Sequence, residues 1–242
     1  MTTPADLPDS ADETTATLPA GGPARTWSCV LFDLDGTLTD SGPGVISRLR
    51  DVIAELGYPA PSDATMTRLV GPPLLDSFRT IIEMTEEDAR AAVVVNRRIT
   101  EERGPWDGAA VFPGITGLLA ELQAADIPLA LATSKTEYAA IGVIEHFGLD
   151  GYFTAVTGAA EDESRSAKSE VVAETISRLT AAGADVSRPI MVGDRFYDVE
   201  GAAANGIPSI LVEWGYGSPA EAAGTLAVVH SVDQLRQLLL GG

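Results

Sequence analysis

Two pairs of closely spaced aspartates are the residues of this chain best suited to chemistry. Asp33 and Asp35 follow a short apolar run at residues 28–32, and Asp194 and Asp198 follow a second run at residues 189–192. Two carboxylates held together repel each other, so a cation is implied, and oxygen ligands without cysteine or histidine suit Mg²⁺. The alternative is that each pair caps a turn or the first turn of a helix.

The two lysines of the chain lie in segments that could also take part in chemistry. Only two of the 16 basic residues are lysines, Lys135 and Lys168. Thr133, Ser134 and Lys135 follow another apolar run, where hydroxyls and free backbone amides can hold a phosphoryl oxygen. Lys168 stands just before a predicted helix and could neutralise such a group. A helix cap and a solvated surface lysine remain the alternatives.

Composition excludes several classes of partner. The 242 residues carry 35 Asp and Glu against 16 Lys and Arg, a formal net charge of −19. Binding to a nucleic-acid polymer or to an anionic membrane surface needs clustered basic residues, so we expect neither. The single Cys29 excludes an internal disulfide and a cysteine zinc site. No apolar run reaches the length of a membrane span, and the prediction is a cytoplasmic protein.

The pattern of the chain predicts the elements that position these side chains. Residues 1–26, acidic and rich in proline and threonine, are predicted to be a disordered tail rather than a secretory signal. Beyond it, short apolar runs alternate with helical patterns, which predicts an α/β fold with a doubly wound parallel sheet. The predicted strands are residues 28–32, 128–132, 153–157, 189–192, 208–212 and an edge strand at 227–229; the predicted helices are 118–125, 137–147, 169–182, 199–205 and 232–240.

One long interval interrupts this alternation. Between Asp40 and Phe112 no convincing strand is found, whereas helical patterns cover residues 45–56, 74–84 and 86–103. This predicts an all-helical cap domain at residues 43–111, inserted into a core domain formed by residues 27–42 and 112–242. Side chains at the carboxyl ends of the core strands would then meet in one crevice beneath the insert.

The ordered motifs resemble those of the haloacid dehalogenase (HAD) superfamily. The resemblance rests on Asp-Leu-Asp-Gly-Thr-Leu at 33–38, Thr-Ser-Lys at 133–135, Lys168 and Gly-Asp-Arg-Phe-Tyr-Asp at 193–198, and it covers about residues 27–240. The helical insert, Val-Gly-Pro-Pro at 70–73 and Trp-Gly-Tyr-Gly at 214–217 are similar to the phosphoglycolate-phosphatase-like branch, with a Rossmann-like core. A mycobacterial protein tyrosine kinase of the same fold is also similar.

The resemblance implies a role for each motif residue. Asp33 would be the nucleophile and Asp35 the acid and base, with Thr133 and Lys168 completing the catalytic set. Mg²⁺ would be the cofactor. The implied metal residues are Asp33, Asp35, Asp194 and, through a second shell, Asp198; the implied phosphate-binding residues are Leu34, Gly36, Thr133, Ser134 and Lys168.

The implied activity is Mg²⁺-dependent hydrolysis of small phosphomonoesters through an aspartyl-phosphate, with a phosphoglycolate-like acid, a sugar phosphate or a nucleotide as substrate. Substrate contacts from the cap are expected at Arg68, Gly71, Pro72 and Arg97, with Pro73 and Arg98 near them. One alternative is a protein tyrosine kinase that autophosphorylates near Tyr216, expected in an exposed loop, and that engages a protein partner. The other is a non-catalytic binding module.

Overall fold

A six-stranded parallel sheet forms the centre of the molecule. The computed structural model describes residues 26–162 and 164–241, so the predicted tail lies outside the described residues except for its last position. The sheet strands are β1 (Cys29–Phe32), β4 (Leu129–Thr136), β5 (Ala155–Ala159), β6 (Pro189–Gly193), β7 (Ser209–Val212) and β8 (Ala227–Val229), in the order β5-β4-β1-β6-β7-β8. Every pairing in this sheet is parallel.

Helices cover both faces of the sheet. They are α5 (Ile115–Ala124), α6 (Glu137–His146), α7 (Lys168–Ala181), α8 (Phe196–Ala203) and α9 (Val232–Leu240). Strand β1 shows why both faces must be covered. Val30 and Phe32 enter one apolar cluster, whereas Cys29 and Leu31 enter the other, and all four are fully buried. The predicted doubly wound parallel sheet is confirmed.

A helical segment follows β1 and has an apolar core of its own. It contains α1 (Gly42–Glu55), α2 (Asp63–Arg68), α3 (Leu74–Thr80) and α4 (Glu86–Arg103). Leu49, Ile53, Met66 and Phe78 lie in a cluster separate from the two beside the sheet. Helix α4 begins at the predicted cap, where the Thr85 hydroxyl accepts a hydrogen bond from the Asp88 amide at 3.1 Å.

Two short elements at the edges of this segment were not predicted. The expectation of no strand between Asp40 and Phe112 was wrong, because β2 (Thr39–Asp40) pairs antiparallel with β3 (Ala110–Val111). Two residues are too few to show an alternating pattern. Helix α2 was also missed, because its six residues are too few to show a helical period. The β2–β3 pair brings together the two connections between the helical segment and the sheet.

Within the described residues, no helix combines the length and the apolar character that crossing a bilayer demands.

Candidate active site

Three buried aspartates from two strand ends meet at the carboxyl edge of the sheet. Asp33 directly follows β1, Asp194 directly follows β6, and Asp198 lies in the first turn of α8. Their exposed fractions are 5%, 0% and 2%, and one carboxylate oxygen from each lies within 4.8 Å of the others. The parallel pairing of β1 with β6 places both strand ends at one edge, so residues 161 positions apart in sequence converge.

Lys168 supplies the positive charge of this cluster. Its ammonium lies 2.8 Å from Asp33 Oδ1 and 2.7 Å from Asp198 Oδ1, and the residue is 6% exposed. Burial disfavours the charged amine, but Asp198 and Asp33 together raise the pKa of Lys168 above its usual value. Lys168 is therefore a permanently charged bridge between the end of β1 and the first turn of α8.

The acid cluster has more negative charge than Lys168 neutralises. Asp194 Oδ2 accepts a hydrogen bond from the Tyr216 amide at 2.6 Å, but its buried Oδ1 has no hydrogen-bond partner. Burial, followed by the charges of Asp198 and Asp33, raises the pKa of Asp194 well above its ordinary value. Burial likewise raises the pKa of Asp33 to about 6. An unpartnered buried oxygen in an all-oxygen donor set fits a hard divalent cation such as Mg²⁺.

Asp35 has a different environment, which the sequence did not reveal. Lys135 Nζ donates to Asp35 Oδ2 at 2.7 Å, and both side chains are about one-eighth exposed, at 11% and 13%. Burial alone would raise the pKa of Asp35, but Lys135, with help from Ser41 and Arg48, holds it below its ordinary value. The pKa values of Asp33 and Asp35 are thus shifted in opposite directions, towards the neutral form for Asp33 and towards the carboxylate for Asp35.

The turn after β1 requires glycine at position 36. Gly36 has a φ of +84°, and a Cβ built there would lie 2.3 Å from Asp194 Oδ2. The Leu34 carbonyl closes the turn by accepting from the amides of Leu38 and Thr39 at 2.9 and 3.0 Å. Any larger residue at position 36 would displace the carboxylate of Asp194, so the motif's glycine directly shapes the acid cluster.

The predicted phosphate-binding residues lie on the irregular end of β4. The strand continues to Thr136 rather than ending at residue 132 as predicted, and its pairing with β5 shifts register between Ala132 and Thr136. Thr133 is 1% exposed and Ser134 is half-buried, and both line a cavity that also contains Asp33 and Asp35. The interrupted pairing frees polar groups at this point of the sheet edge.

The cavity lies between the sheet edge and the helical segment and has a volume of about 220 Å³. Gly71, Pro72, Pro73 and Arg97 are among the residues that line it. Arg97 is tethered to the core, since its Nη2 donates to the Glu161 carbonyl at 3.1 Å.

The structure does not bring two of the predicted arginines into the cavity. Arg68 ends α2 in an exposed position and is not among the cavity residues. Arg98 pairs at the surface with Glu55 and Glu102, at 2.6 and 2.9 Å. Helical periodicity explains the difference between Arg97 and Arg98, because adjacent positions point about 100° apart around the helix axis.

Arg195 joins the second aspartate motif to the helical segment. Its Nη1 donates to the Val70 carbonyl at 2.5 Å, and its Nε donates to Glu221 Oε2 at 3.0 Å. The same Glu221 oxygen accepts from the Phe196 amide at 2.9 Å, at the start of α8. Arg195, which stands between Asp194 and α8, therefore contacts the Val-Gly-Pro-Pro loop of the helical segment.

Tyr216 was expected in an exposed loop, and that expectation was wrong. Its hydroxyl donates to Asp40 Oδ1 at 2.7 Å and accepts from the Gly42 amide at 2.5 Å. Burial and the hydrogen bond to Asp40 raise the pKa of Tyr216. The hydroxyl therefore fastens the loop after β7 to the start of the helical segment.

Tyr216→Phe should lower the free energy of unfolding by about 1–2 kcal/mol, because the Gly42 amide and the Asp40 carboxylate would lose their partner in a half-buried position. Urea denaturation measures this loss. Tyr138→Phe is the matched control, since Tyr138 is 65% exposed, and it should change stability by less than about 0.5 kcal/mol. Equal stability of the two variants would show that the Tyr216 hydroxyl bonds contribute nothing.

Among the cavity residues that were not predicted as site residues, two had a signal in the sequence. Lys135 is one of only two lysines and stands in a motif, yet its ion pair with Asp35 depends on strand packing. Arg48 stands three residues after Val45 and four before Val52, on the apolar face of α1, where a charged residue is unusual. The structure buries it in the cavity wall.

Comparison with known proteins places this arrangement in a family context. Residues 30–212 match the family model described as haloacid dehalogenase-like hydrolase. The chain is 39% identical to the tyrosine-protein kinase PtkA of Mycobacterium tuberculosis over 91% of this chain and 75% of that protein. It is 35% identical to a phosphoglycolate phosphatase of Agrobacterium fabrum over 77% of this chain and 80% of that protein.

A solved structure shows the same overall likeness. A predicted phosphatase from Clostridium acetobutylicum superposes with a TM-score of 0.82 and 35% identity, covering 88% of this chain and 98% of that one.

Proposed function

Because the chain belongs to the haloacid dehalogenase-like hydrolase family and is a phosphoric monoester hydrolase, we propose that it is a Mg²⁺-dependent phosphatase that works through an aspartyl-phosphate on Asp33. The observation that carries the proposal is the convergence of Asp33, Asp194 and Asp198 beside a cavity, with Lys168 paired to Asp33 and Asp198. The proposed substrate is a small phosphorylated molecule, because the cavity is closed on one side by the helical segment.

In the proposed first step, a carboxylate oxygen of Asp33 attacks phosphorus and the bond from phosphorus to the alcohol oxygen breaks. The carboxyl proton of Asp35 passes to the departing oxygen. Lys168, together with the Thr133 hydroxyl and the amides of Leu34 and Ser134, would balance the phosphoryl charge. Positioning and charge neutralisation of this kind supply most of the rate in phosphoryl transfer.

In the proposed second step, Asp35 as a carboxylate takes a proton from water, and that water attacks the phosphorus of the aspartyl-phosphate. The bond to Asp33 breaks, and inorganic phosphate leaves with Asp33 again ionised. The ion pair with Lys135 favours the carboxylate form of Asp35. A bound phosphate that competes for Lys135 would raise the pKa of Asp35 and restore the acid form for the first step.

The groups proposed to hold Mg²⁺ are the carboxylates of Asp33 and Asp194 and the backbone carbonyl of Asp35, with Asp198 supporting them from the second shell. When bound, the ion would neutralise charge on the phosphoryl group as a Lewis acid. The unpartnered Oδ1 of Asp194 supports this assignment.

We propose that residues 43–111 act as a cap domain over the core formed by residues 27–42 and 112–242. A cap excludes water from the reacting groups and presents the residues that choose the substrate. Supporting observations are the separate apolar cluster of the helical segment and the contact between Arg195 and the Val70 carbonyl. Gly71, Pro72 and Arg97 are the proposed substrate contacts.

Protein tyrosine phosphorylation is the second candidate, and the similarity to PtkA favours it. The bonds of the Tyr216 hydroxyl to Asp40 and Gly42 argue against autophosphorylation there, because the hydroxyl would have to leave both partners first. A tyrosine on a partner protein would not face that obstacle. Transfer of labelled γ-phosphate from ATP to protein tyrosine, exceeding release of free phosphate, would favour this candidate.

Removal of divalent metal tests the proposed phosphatase. Hydrolysis of 4-nitrophenyl phosphate should fall at least about 100-fold after treatment with EDTA and return when Mg²⁺ is added in excess. Circular dichroism before and after treatment controls for loss of fold. Full turnover in metal-free protein that remains folded would contradict Mg²⁺ dependence.

A further inference from the structure

Arg48 is a buried charge that forms no salt bridge within the described residues, although the carboxylates of Asp35 and Asp107 lie near enough to act on it. The residue is 5% exposed, and no carboxylate of the described chain forms a salt bridge with it within 4.0 Å. Its Nε has no hydrogen-bond partner, and its Nη1 makes only a long contact of 3.4 Å to the Asp107 carbonyl. A guanidinium held out of water in this way is costly unless an anion completes its environment.

Arg48 faces the same cavity as the reacting groups, on the side of Asp35. Both Arg48 and Asp35 line the cavity, and the charge of Arg48 contributes to the lowered pKa of Asp35. Asp35 already has Lys135 as its direct partner at 2.7 Å. In the proposed mechanism, Asp35 gives its proton to the oxygen of the departing alcohol, whereas Lys168 and Thr133 stabilise the charge of the phosphoryl group. Arg48 is therefore placed to meet the alcohol part of the substrate.

Much of the cavity wall that the helical segment supplies is apolar. The aliphatic residues Val45, Leu49, Leu69, Val70, Leu74 and Leu75 line it, together with the polar side chains of Asn96, Arg97, Thr100 and Glu101. Such a wall favours an apolar body in the substrate, and a single buried guanidinium within it selects strongly for one negative group.

We propose that Arg48 binds an anionic group, a carboxylate or a second phosphate, on the alcohol part of the substrate. The preferred substrates are then phosphate monoesters whose alcohol combines an apolar body with a negative charge. This inference rests on the proposed phosphatase function and specifies its substrate class.

Two substrates of nearly equal shape test the proposal. The leaving group of 4-carboxyphenyl phosphate carries a carboxylate, whereas that of 4-nitrophenyl phosphate carries an uncharged nitro group; 1,4-phenylene bisphosphate supplies the second-phosphate arm. The measured quantity is the ratio of kcat/KM for each anionic substrate to kcat/KM for the nitro compound. We expect Arg48→Gln to lower this ratio about 20-fold or more, since hydrogen bonds to charged groups are lost.

Further variants separate recognition from folding. Arg48→Lys keeps the positive charge and should recover part of the ratio, and whichever anionic substrate loses more identifies the preferred anion. Arg98→Gln is the matched control, because Arg98 lies at the surface in pairs with Glu55 and Glu102, and it should leave the ratio unchanged.

The possible failures are distinguishable. An unchanged ratio in Arg48→Gln, or an equal loss with all three substrates, would overturn the role of Arg48 while leaving the phosphatase function intact. If the parent protein hydrolyses none of the three substrates with Mg²⁺ present, the proposed function itself fails and the inference falls with it.

Discussion

Asp33→Asn is expected to lower kcat/KM for 4-nitrophenyl phosphate by at least about 10⁴-fold. The amide keeps the shape of the side chain but has no anionic oxygen with which to attack phosphorus. The neighbouring groups stay in place, because Lys168 retains its second carboxylate partner, Asp198, at 2.7 Å. Loss of activity in this variant would therefore reflect loss of the nucleophile.

A matched carboxylate controls for the change of charge. Asp150→Asn removes one negative charge from an exposed position at the start of a short 3₁₀ helix, and it should leave turnover within about 2-fold of the parent. Melting temperatures of both variants verify that they fold. Turnover by Asp33→Asn within about 10-fold of the parent would refute the nucleophile assignment.

Lys168→Met is expected to have two large effects. Without the ammonium, Asp33 and Asp198 lose the charge that bridges them, and removal of one partner from a buried ion pair costs about 3–5 kcal/mol of unfolding free energy. The variant should also lose about 10²–10³-fold in kcat, because a preorganised positive charge no longer stabilises the transferring phosphoryl group. Urea denaturation and steady-state kinetics measure the two effects separately.

Arg188→Met is the control for this variant, since Arg188 is an exposed basic residue just before β6. We expect it to change the unfolding free energy by less than about 0.5 kcal/mol. If Lys168→Met were as stable and as active as Arg188→Met, the ion pairs of Lys168 would have neither a structural nor a catalytic role.

The sequence predicted the sheet well because its strands are buried on both faces. Such strands appear as short apolar runs bounded by proline or glycine, and alternation with helices then implies a parallel sheet. Pairing at the edges of the helical segment was missed, because β2 and β3 have two residues each. β2 and β3 pair because two parts of the chain that are distant in sequence lie close together in the fold, and a local sequence pattern does not predict such a contact.

The acid cluster was predictable for a related reason. Asp33 and Asp194 each directly follow an apolar run, and parallel strands bring such ends to one edge of the sheet. The partners of Asp35 and Tyr216 were not predictable, because side-chain orientation at a strand end or in a loop depends on tertiary packing. Arg48 was predictable in part. The sequence shows that it stands on an apolar helix face, but only the folded structure shows that it lines the cavity.

Every proposed role in this site depends on Asp33 carrying the phosphoryl group during turnover. Reaction with 4-nitrophenyl phosphate and Mg²⁺, quenching with borohydride and peptide mass spectrometry test this directly, because borohydride reduces an acyl phosphate to an alcohol. We predict homoserine at position 33 in the parent protein and none when substrate is omitted. Phosphate release at a full rate with no reduction at position 33, or with a covalent phosphoryl group on another residue, would contradict the mechanism.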